Sequence, residues 1–143
     1  MLGVKLKHLD AWNRARRERA GDYAARLGRT DVVLPVEASG CESVYHLYVI
    51  RSKQRDALRE HLTELGIQTG LHYPVPVPLQ PAYAELGHRE GDFPEAEAWA
   101  RECLSLPMYA ELLPAQLEEV IQGMKSFGYS DAPQANKALT AQH

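Results

Sequence analysis

A proline-rich segment near the middle of the chain carries the residues best suited to contact a ligand. Residues 71–83 read LHYPVPVPLQPAY, in which His72 and Tyr73 precede three prolines that alternate with valine. An imidazole and a phenol can each donate or accept a hydrogen bond. Each proline fixes its own φ and keeps the preceding residue extended, which predicts a stiff ribbon. The residues alone leave three readings open: a binding-site wall carrying His72 and Tyr73, a rigid loop at a sheet edge, and a ligand for a proline-binding domain.

Residues that usually carry covalent or metal-assisted catalysis occur without the partners they need. The sequence has no glycine-rich phosphate-binding motif and no G-x-S-x-G motif. The other histidines have no partners at metal-ligand spacing, and Cys41 and Cys103 lack the paired spacing of a zinc site. A lysine that forms a Schiff base must be desolvated or tuned by a neighbouring charge, and none of the five lysines has such a setting. We therefore predict no catalytic, cofactor-binding or metal-binding residue in this chain.

The composition is that of a globular protein with one domain. The chain has 143 residues, a formal net charge of −3, 45% hydrophobic residues and 24% charged residues. This charge argues against nucleic acid and anionic membranes as partners, and no stretch approaches the ~20 apolar residues of a membrane span. Basic residues cluster at 14–19, but Glu18 interrupts them and no aromatic platform accompanies them. The two distant cysteines and the lack of a leader-like start favour a reduced, cytoplasmic protein.

Apolar periodicity and turn residues predict an α+β domain over residues 1–128. Helices are predicted at 2–27, 53–65, 92–102 and 114–127, and strands at 43–51, 67–73 and 103–107. The helix at 92–102 is expected to begin with a capping box formed by Asp92 and Glu95. Short strands between helices predict a small, mostly antiparallel sheet of about three strands with the helices packed on one face. Residues 129–143 are polar and aperiodic, which predicts a disordered tail.

The long first helix has an unusual start. Its apolar stripe runs from Leu2 through Leu6 and Trp12 to Leu27, and no Ser, Thr, Asp or Asn precedes it as a cap. Gly28 is expected to end it in the left-handed conformation. A pattern already running at the second residue leads us to expect a helix cut from a longer one.

Several segments, in this order and spacing, resemble the C-terminal small domain of the DegT/DnrJ/StrS aminotransferases. They are VYHLYVIR at 44–51, GIQTGLHYPVPVPLQPAY at 66–83 and REGDFPEAEAWARECLSLPMY at 89–109. KLKHLDAWNRARRERA at 5–20 is similar to the helix that leads into that domain, and the resemblance covers residues 2–128. The chain departs from the family at Pro78, where histidine is common, at Ala110, where proline is usual, and at Leu113, where a capping threonine is common.

The resemblance implies pyridoxal-phosphate chemistry that this chain does not carry by itself. The family transfers an amino group, usually from glutamate, to a keto sugar carried on a nucleotide, and its large domain supplies the Schiff-base lysine. The small domain closes over the cofactor and shapes the sugar-nucleotide pocket, usually within a homodimer. By resemblance, His72 and Tyr73 face that pocket, and no residue of this chain is catalytic or binds the cofactor.

Two functional hypotheses follow from this sequence. The first is an excised or orphaned small domain, inactive alone, which would need a separate large domain as its partner. The second is a standalone binding or assembly module without catalysis. In either case an apolar surface along residues 2–27 is expected to lack its cover, which predicts a homo-oligomer formed through the first helix.

Overall fold

Helices alternate with two short strands along residues 2–128, the part of the chain that the computed structural model describes. The α-helices are α1 (Leu2–Leu6), α2 (Leu9–Leu27), α3 (Arg55–Glu64), α4 (Pro94–Glu102) and α5 (Pro114–Ser126), and the strands are β1 (Tyr48–Arg51) and β2 (Cys103–Leu106). Two short 3-10 helices, Val77–Leu79 and Pro81–Leu86, lie in the proline-rich segment. The α+β class is confirmed, while the tail predicted at 129–143 lies outside the described residues.

The sheet is smaller than predicted. Strands β1 and β2 pair antiparallel, with Tyr48 opposite Leu106 and Arg51 opposite Cys103. Isolated antiparallel bridges extend it on both sides, from Val33 to Arg51 and from Gly70 to Ser105. The antiparallel arrangement is thus confirmed, and the prediction of about three strands is confirmed only in part, since the segment predicted as the third strand forms a single bridge.

Local side-chain bonds and backbone geometry explain the two strand errors. In the segment predicted as the start of β1, the Ser43 hydroxyl accepts a bond from the Tyr45 N–H, and Tyr45 has a φ of 45°. The strand predicted at 67–73 contributes only Gly70, which bridges to Ser105, and the Ile67 N–H is bound instead by the Leu62 carbonyl of α3 at 2.8 Å. Local hydrogen bonds therefore outweighed the β-branched composition that predicted longer strands.

Three helices cover one face of the sheet and form the core with it. Alternation along the strands places Tyr48, Ile50, Leu104 and Leu106 on this face, and all four are buried. The helices contribute most of the other buried side chains of the same cluster, which are Ala20, Tyr23, Leu27, Leu58, Leu62, Leu117, Val120, Ile121 and Met124. Helices packed on one face were predicted, and α2, α3 and α5 show this arrangement.

The first helix is interrupted, contrary to the prediction of one helix over 2–27. A turn separates α1 from α2, in which the His8 N–H donates to the Lys5 carbonyl at 2.9 Å. Leu6 is 67% exposed, so the apolar stripe does not continue into the core on the α1 side of the turn. The predicted left-handed stop at Gly28 is also wrong, because its φ is −63°.

Helix α2 is anchored to the rest of the domain by three side chains. The Tyr23 hydroxyl donates to the Pro107 carbonyl at 2.9 Å, and Arg19 Nε donates to the Leu112 carbonyl at 3.0 Å. Arg26 pairs with Glu118 on α5, with Nη1 and Oε2 2.6 Å apart. The hydrogen bond from Arg26, followed by that from Gln122, lowers the pKa of Glu118 to about 2.

None of the helices within residues 2–128 combines the length and hydropathy required to cross a bilayer.

Candidate functional site

The sheet has a second face, opposite the helical core, and the candidate ligand-binding residues lie on this face. Alternation along the strands places Val49, Arg51, Cys103 and Ser105 there. In the antiparallel register Val49 lies opposite Ser105, and Arg51 lies opposite Cys103. Directly opposite residues on one face have Cβ atoms ~5 Å apart, so groups bound to these four residues are close neighbours.

His72 is held on the second face by Ser105. The imidazole Nδ1 lies 2.8 Å from the Ser105 hydroxyl oxygen, and Ser105 is only 5% exposed. The backbone around them is fixed as well, because Gly70 and Ser105 exchange two N–H···O bonds, at 3.0 and 2.8 Å. The half-buried imidazole therefore lies at the sheet edge, where the hydrogen bond to its Nδ1 holds the ring against β2.

Gly70 makes room for the imidazole. A Cβ atom built on Gly70 would lie 2.8 Å from Cε1 and 3.4 Å from Nδ1 of His72. The first of these separations is shorter than any ordinary contact of a Cβ atom, so a side chain at this position would displace the ring. A glycine within a strand-like segment often marks such a close approach.

Tyr73 lies beside His72 and is more exposed. Its side chain is 68% exposed, and its ring meets the His72 ring edge-on, with centroids 5.5 Å apart. Its carbonyl oxygen is 3.8 Å from the buried Sγ of Cys103, which holds the backbone against β2. The peptide bond between His72 and Tyr73 is cis. The two residues predicted for a binding site are thus brought together at one edge of the second face.

An open groove of about 400 Å³ adjoins the same face. Its walls are mainly apolar and aromatic, and they are formed by Pro35, Val36, Glu37, Ala38, Cys41, Glu42, Ser43, Tyr45, Leu47, Val49 and Trp99. Val49 links the groove to His72, because Val49 is paired with the Ser105 that binds the imidazole. Apolar walls with two aromatic side chains suit a planar or apolar part of a ligand.

The polar groups at the rim of the groove are already engaged in holding it together. Glu37 accepts a hydrogen bond from the Ser43 N–H, and Glu42 pairs with Arg17. Arg51 donates to the Glu102 carboxylate through Nε at 3.0 Å and pairs with it through Nη2 at 2.8 Å, and its guanidinium lies 5.6 Å from the Trp99 ring centroid. The groove therefore offers shape and apolar area more than free charge.

Sequence reasoning missed this groove. Residues 31–40 lie between the elements predicted from the sequence, and Trp99 lies within the helix predicted at 92–102. The only local signal was the aromatic character of Tyr45 and Trp99, and their proximity depends on how α4 packs against β1. Such a long-range arrangement has no periodicity along the chain that could have indicated it.

The residues that the structure describes do not fit a coenzyme held as a Schiff base. Within residues 2–128 the lysines are Lys5, Lys7, Lys53 and Lys125, and all four are exposed. An exposed ammonium group is strongly solvated, whereas a Schiff-base lysine is desolvated or placed beside another cation. Over the same residues no group of three or more His, Cys, Asp and Glu side chains has the arrangement of a metal site.

Comparisons with known proteins agree on one family. Residues 1–125 match the model of the DegT/DnrJ/EryC1/StrS aminotransferase family. A similar curated protein is the pleiotropic regulatory protein of Geobacillus stearothermophilus, 44% identical over 130 residues, which are 89% of this chain and 35% of that protein. Another is the dTDP-3-amino-3,4,6-trideoxy-alpha-D-glucose transaminase of Streptomyces venezuelae, 43% identical over 128 residues, which are 89% of this chain and 34% of that protein.

The fold is also similar to solved aminotransferase structures. The S. venezuelae DesV crystal structure, in complex with a ketimine intermediate, matches with a TM-score of 0.87 and 42% identity, over 91% of this chain and 36% of that chain. A DegT/DnrJ/EryC1/StrS aminotransferase of Brucella abortus matches with a TM-score of 0.79 and 31% identity, over 87% of this chain and 33% of that chain. The chain thus spans about a third of the length of the relatives that it matches.

Proposed function

Because this chain belongs to the DegT/DnrJ/EryC1/StrS aminotransferase family, we propose that it forms the small domain of a nucleotide-sugar aminotransferase. Residues 1–128 constitute this domain, and they supply one wall of the site for a keto sugar linked to a nucleotide. The observation that carries the proposal is the anchored His72, which stands beside Tyr73 and adjoins an aromatic groove on the same face of the sheet.

The part of the reaction assigned to this chain is binding and orientation. Pyridoxal phosphate, when bound to a family enzyme, supplies the electron sink for amino transfer. The four described lysines are exposed and unsuited to hold it, so we assign the Schiff-base lysine to a separate large domain. The chain alone is accordingly proposed to be inactive in amino transfer. Its cytoplasmic location stays a prediction from composition.

The wall proposed here lacks one polar group that the family resemblance leads us to expect. Pro78, at the position where relatives commonly carry histidine, lies in the 3-10 helix Val77–Leu79 and has no side-chain donor or acceptor. His72 and Tyr73 are therefore the polar side chains that this loop brings to the site. This makes His72 the most informative residue to change.

Replacing His72 with alanine is expected to weaken the binding of a nucleotide sugar at least tenfold. The imidazole supplies one hydrogen bond to the ligand, and a bond to a charged group contributes about 1.5–3 kcal/mol. Isothermal titration calorimetry with dTDP-glucose measures the dissociation constants of the parent and of His72→Ala. His46→Ala is a matched control, because His46 is exposed and precedes β1 without lining the groove. Absence of saturable binding to the parent, or equal affinity in His72→Ala, would contradict the proposal.

A second function, self-association without catalysis, is supported by uncovered apolar side chains at the start of the chain. Val4 and Leu6 on α1 are 69% and 67% exposed, and Leu9 at the start of α2 is 41% exposed. Burying such side chains against a second copy would remove apolar area from water. This observation favours a dimer formed through the first two helices.

Leu6→Asp is expected to shift the dimer towards monomer. Each buried Leu side chain contributes about 1.5–3 kcal/mol, and a symmetric interface loses two of them, so the dimer dissociation constant should rise at least a hundredfold. Sedimentation velocity over a range of protein concentrations measures the change. The control is Lys7→Asp, which places the same carboxylate at the next exposed position. A parent protein that remains monomeric at high concentration would rule out this second function.

A further inference from the structure

We infer that Ser105 and Gly70 are positioning residues that hold the neutral His72 ring as its Nε2–H tautomer, which makes His72 a hydrogen-bond donor to an acceptor oxygen of the ligand. The inference concerns how the site selects its ligand, and its functional part rests on the proposed function of this chain in binding a nucleotide sugar. Its structural part concerns only the contacts among these three residues.

The direction of the hydrogen bond follows from the burial of Ser105. Ser105 is only 5% exposed. Its hydroxyl oxygen lies 2.8 Å from Nδ1 of His72, and this nitrogen is the hydrogen-bond partner of the hydroxyl among the described residues. A buried hydroxyl needs an acceptor for its proton, and Nδ1 is the acceptor within reach. The Ser105 O–H therefore donates to Nδ1, and in the neutral ring the proton is carried by Nε2.

Gly70 leaves the space that the imidazole ring occupies when it is bound to Ser105. The imidazole edge that bears Nδ1 and Cε1 lies over the Gly70 backbone, where a methyl group would approach Cε1 to 2.8 Å. The Gly70 backbone cannot move away freely, because it exchanges two hydrogen bonds with Ser105. One residue thus orients the ring by a hydrogen bond, and the other permits the close approach that this bond requires.

The chemical consequence is a preference for ligands that present an acceptor oxygen. An Nε2–H group binds a diphosphate oxygen or a carbonyl oxygen well, and an anionic oxygen gives the shorter and stronger bond. The same arrangement disfavours a ligand group that can only donate. Among the parts of a nucleotide sugar, the diphosphate offers the strongest acceptors, so we assign the contact with His72 to a diphosphate oxygen.

The tautomer can be measured without any ligand. Long-range 1H–15N correlation spectra of the 15N-labelled chain, recorded at a pH at which the imidazole rings are neutral, are expected to show an unprotonated Nδ1 and a protonated Nε2 in His72. Ser105→Ala is expected to introduce a measurable Nδ1–H population, and Ser105→Thr, which keeps a hydroxyl, is expected to restore the parent spectrum. A parent spectrum with Nδ1 protonated would overturn the inference even if the alanine variant does not fold. An unchanged tautomer ratio in a folded Ser105→Ala would overturn it as well.

Ligand binding tests the functional part separately. Gly70→Ala and Ser105→Ala are each expected to weaken binding of thymidine diphosphate about three- to tenfold, while the binding of thymidine, which lacks the diphosphate, changes little. In a His72→Ala background, Gly70→Ala should have no further effect, since the ring that it displaces is absent. A parent chain with the expected tautomer and no affinity for thymidine diphosphate would refute the proposed function but not the positioning. Equal losses for thymidine and for its diphosphate would refute the assignment to diphosphate.

Discussion

Raising the pH above about 10 is expected to destabilise this domain by roughly 3 kcal/mol for each further pH unit. Two tyrosines in the core, Tyr23 and Tyr48, are 0% and 1% exposed. Burial raises the pKa of both phenols above the ordinary value of 10, and the neighbouring phenols, Tyr48 for Tyr23 and Tyr45 for Tyr48, raise it further. The Tyr23 and Tyr48 rings lie 4.9 Å apart, so a phenolate on either would also be repelled by one on the other.

The sign of the effect follows from which state holds the protons. Above pH 10 the phenols of the unfolded chain are deprotonated, whereas both buried phenols of the folded domain remain protonated. The unfolded state therefore binds about two fewer protons, and the free energy of unfolding falls as the pH rises. Below pH 10 both states hold these protons, and the contribution of the two tyrosines is fully present.

Conservative variants separate the two contributions. Tyr48→Phe is expected to halve the alkaline slope without loss of stability at neutral pH, because the buried Tyr48 hydroxyl has no hydrogen-bond partner among the described residues. Tyr23→Phe should also halve the slope, but it should cost about 1 kcal/mol at neutral pH, because the Pro107 carbonyl loses its donor. Urea midpoints between pH 8 and 11 measure both quantities. Tyr73→Phe, altered at an exposed position, is the control, and an undiminished slope in Tyr48→Phe would contradict the explanation.

The helices were predicted well because their signals are local. Apolar spacing and terminal glycines or prolines lie within one helix, so α3, α4 and α5 appear within two residues of their predicted bounds. The break between α1 and α2 was not predictable in this way. The apolar pattern continues through residues 7 and 8, and only the missing burial at Leu6 shows that the pattern has no packing partner within residues 2–128.

The candidate site was half predictable for the same reason. His72 and Tyr73 were indicated by the prolines that follow them, which is a local signal. The support from Gly70 and Ser105 depends on pairing between segments about 35 residues apart, and register of that kind leaves little trace in a single sequence. In the sequence Ser105 is one residue of a short predicted strand, and nothing next to it indicates its hydrogen bond with His72.

The start of α4 shows how a correct local signal can name the wrong residue. The predicted capping box of Asp92 and Glu95 is wrong, because Asp92 accepts instead from the Arg89 N–H at 2.8 Å. The N–H groups of Gly91 and Phe93 are bound by Glu97, which is 5% exposed. With Phe93 as the N-cap, the glutamate of a capping box would stand at position 96. The acidic residue that binds the free N–H groups is instead Glu97, one position further along.

Replacing Glu97 with alanine is consequently expected to lower the free energy of unfolding by about 2 kcal/mol. The carboxylate receives the Gly91 N–H at 2.9 and 3.0 Å and the Phe93 N–H at 3.1 Å, and hydrogen bonds to a charged group contribute about 1.5–3 kcal/mol. Part of the loss is recovered because the Gly91 amide, in an exposed segment, can bind water instead. The pair with Arg101, at 3.8 Å, adds little.

Glu95→Ala is the matched control for this change. Glu95 occupies the same first turn of α4 and carries the same charge near the positive end of the helix dipole, but it is exposed. Its removal should cost only the dipole interaction, about 0.3–1 kcal/mol. Urea denaturation measures the difference, and amide exchange at Gly91 and Phe93 should accelerate in Glu97→Ala alone. Equal losses in the two variants would show that charge at the helix start, rather than the buried hydrogen bonds, holds residues 91–93 in place.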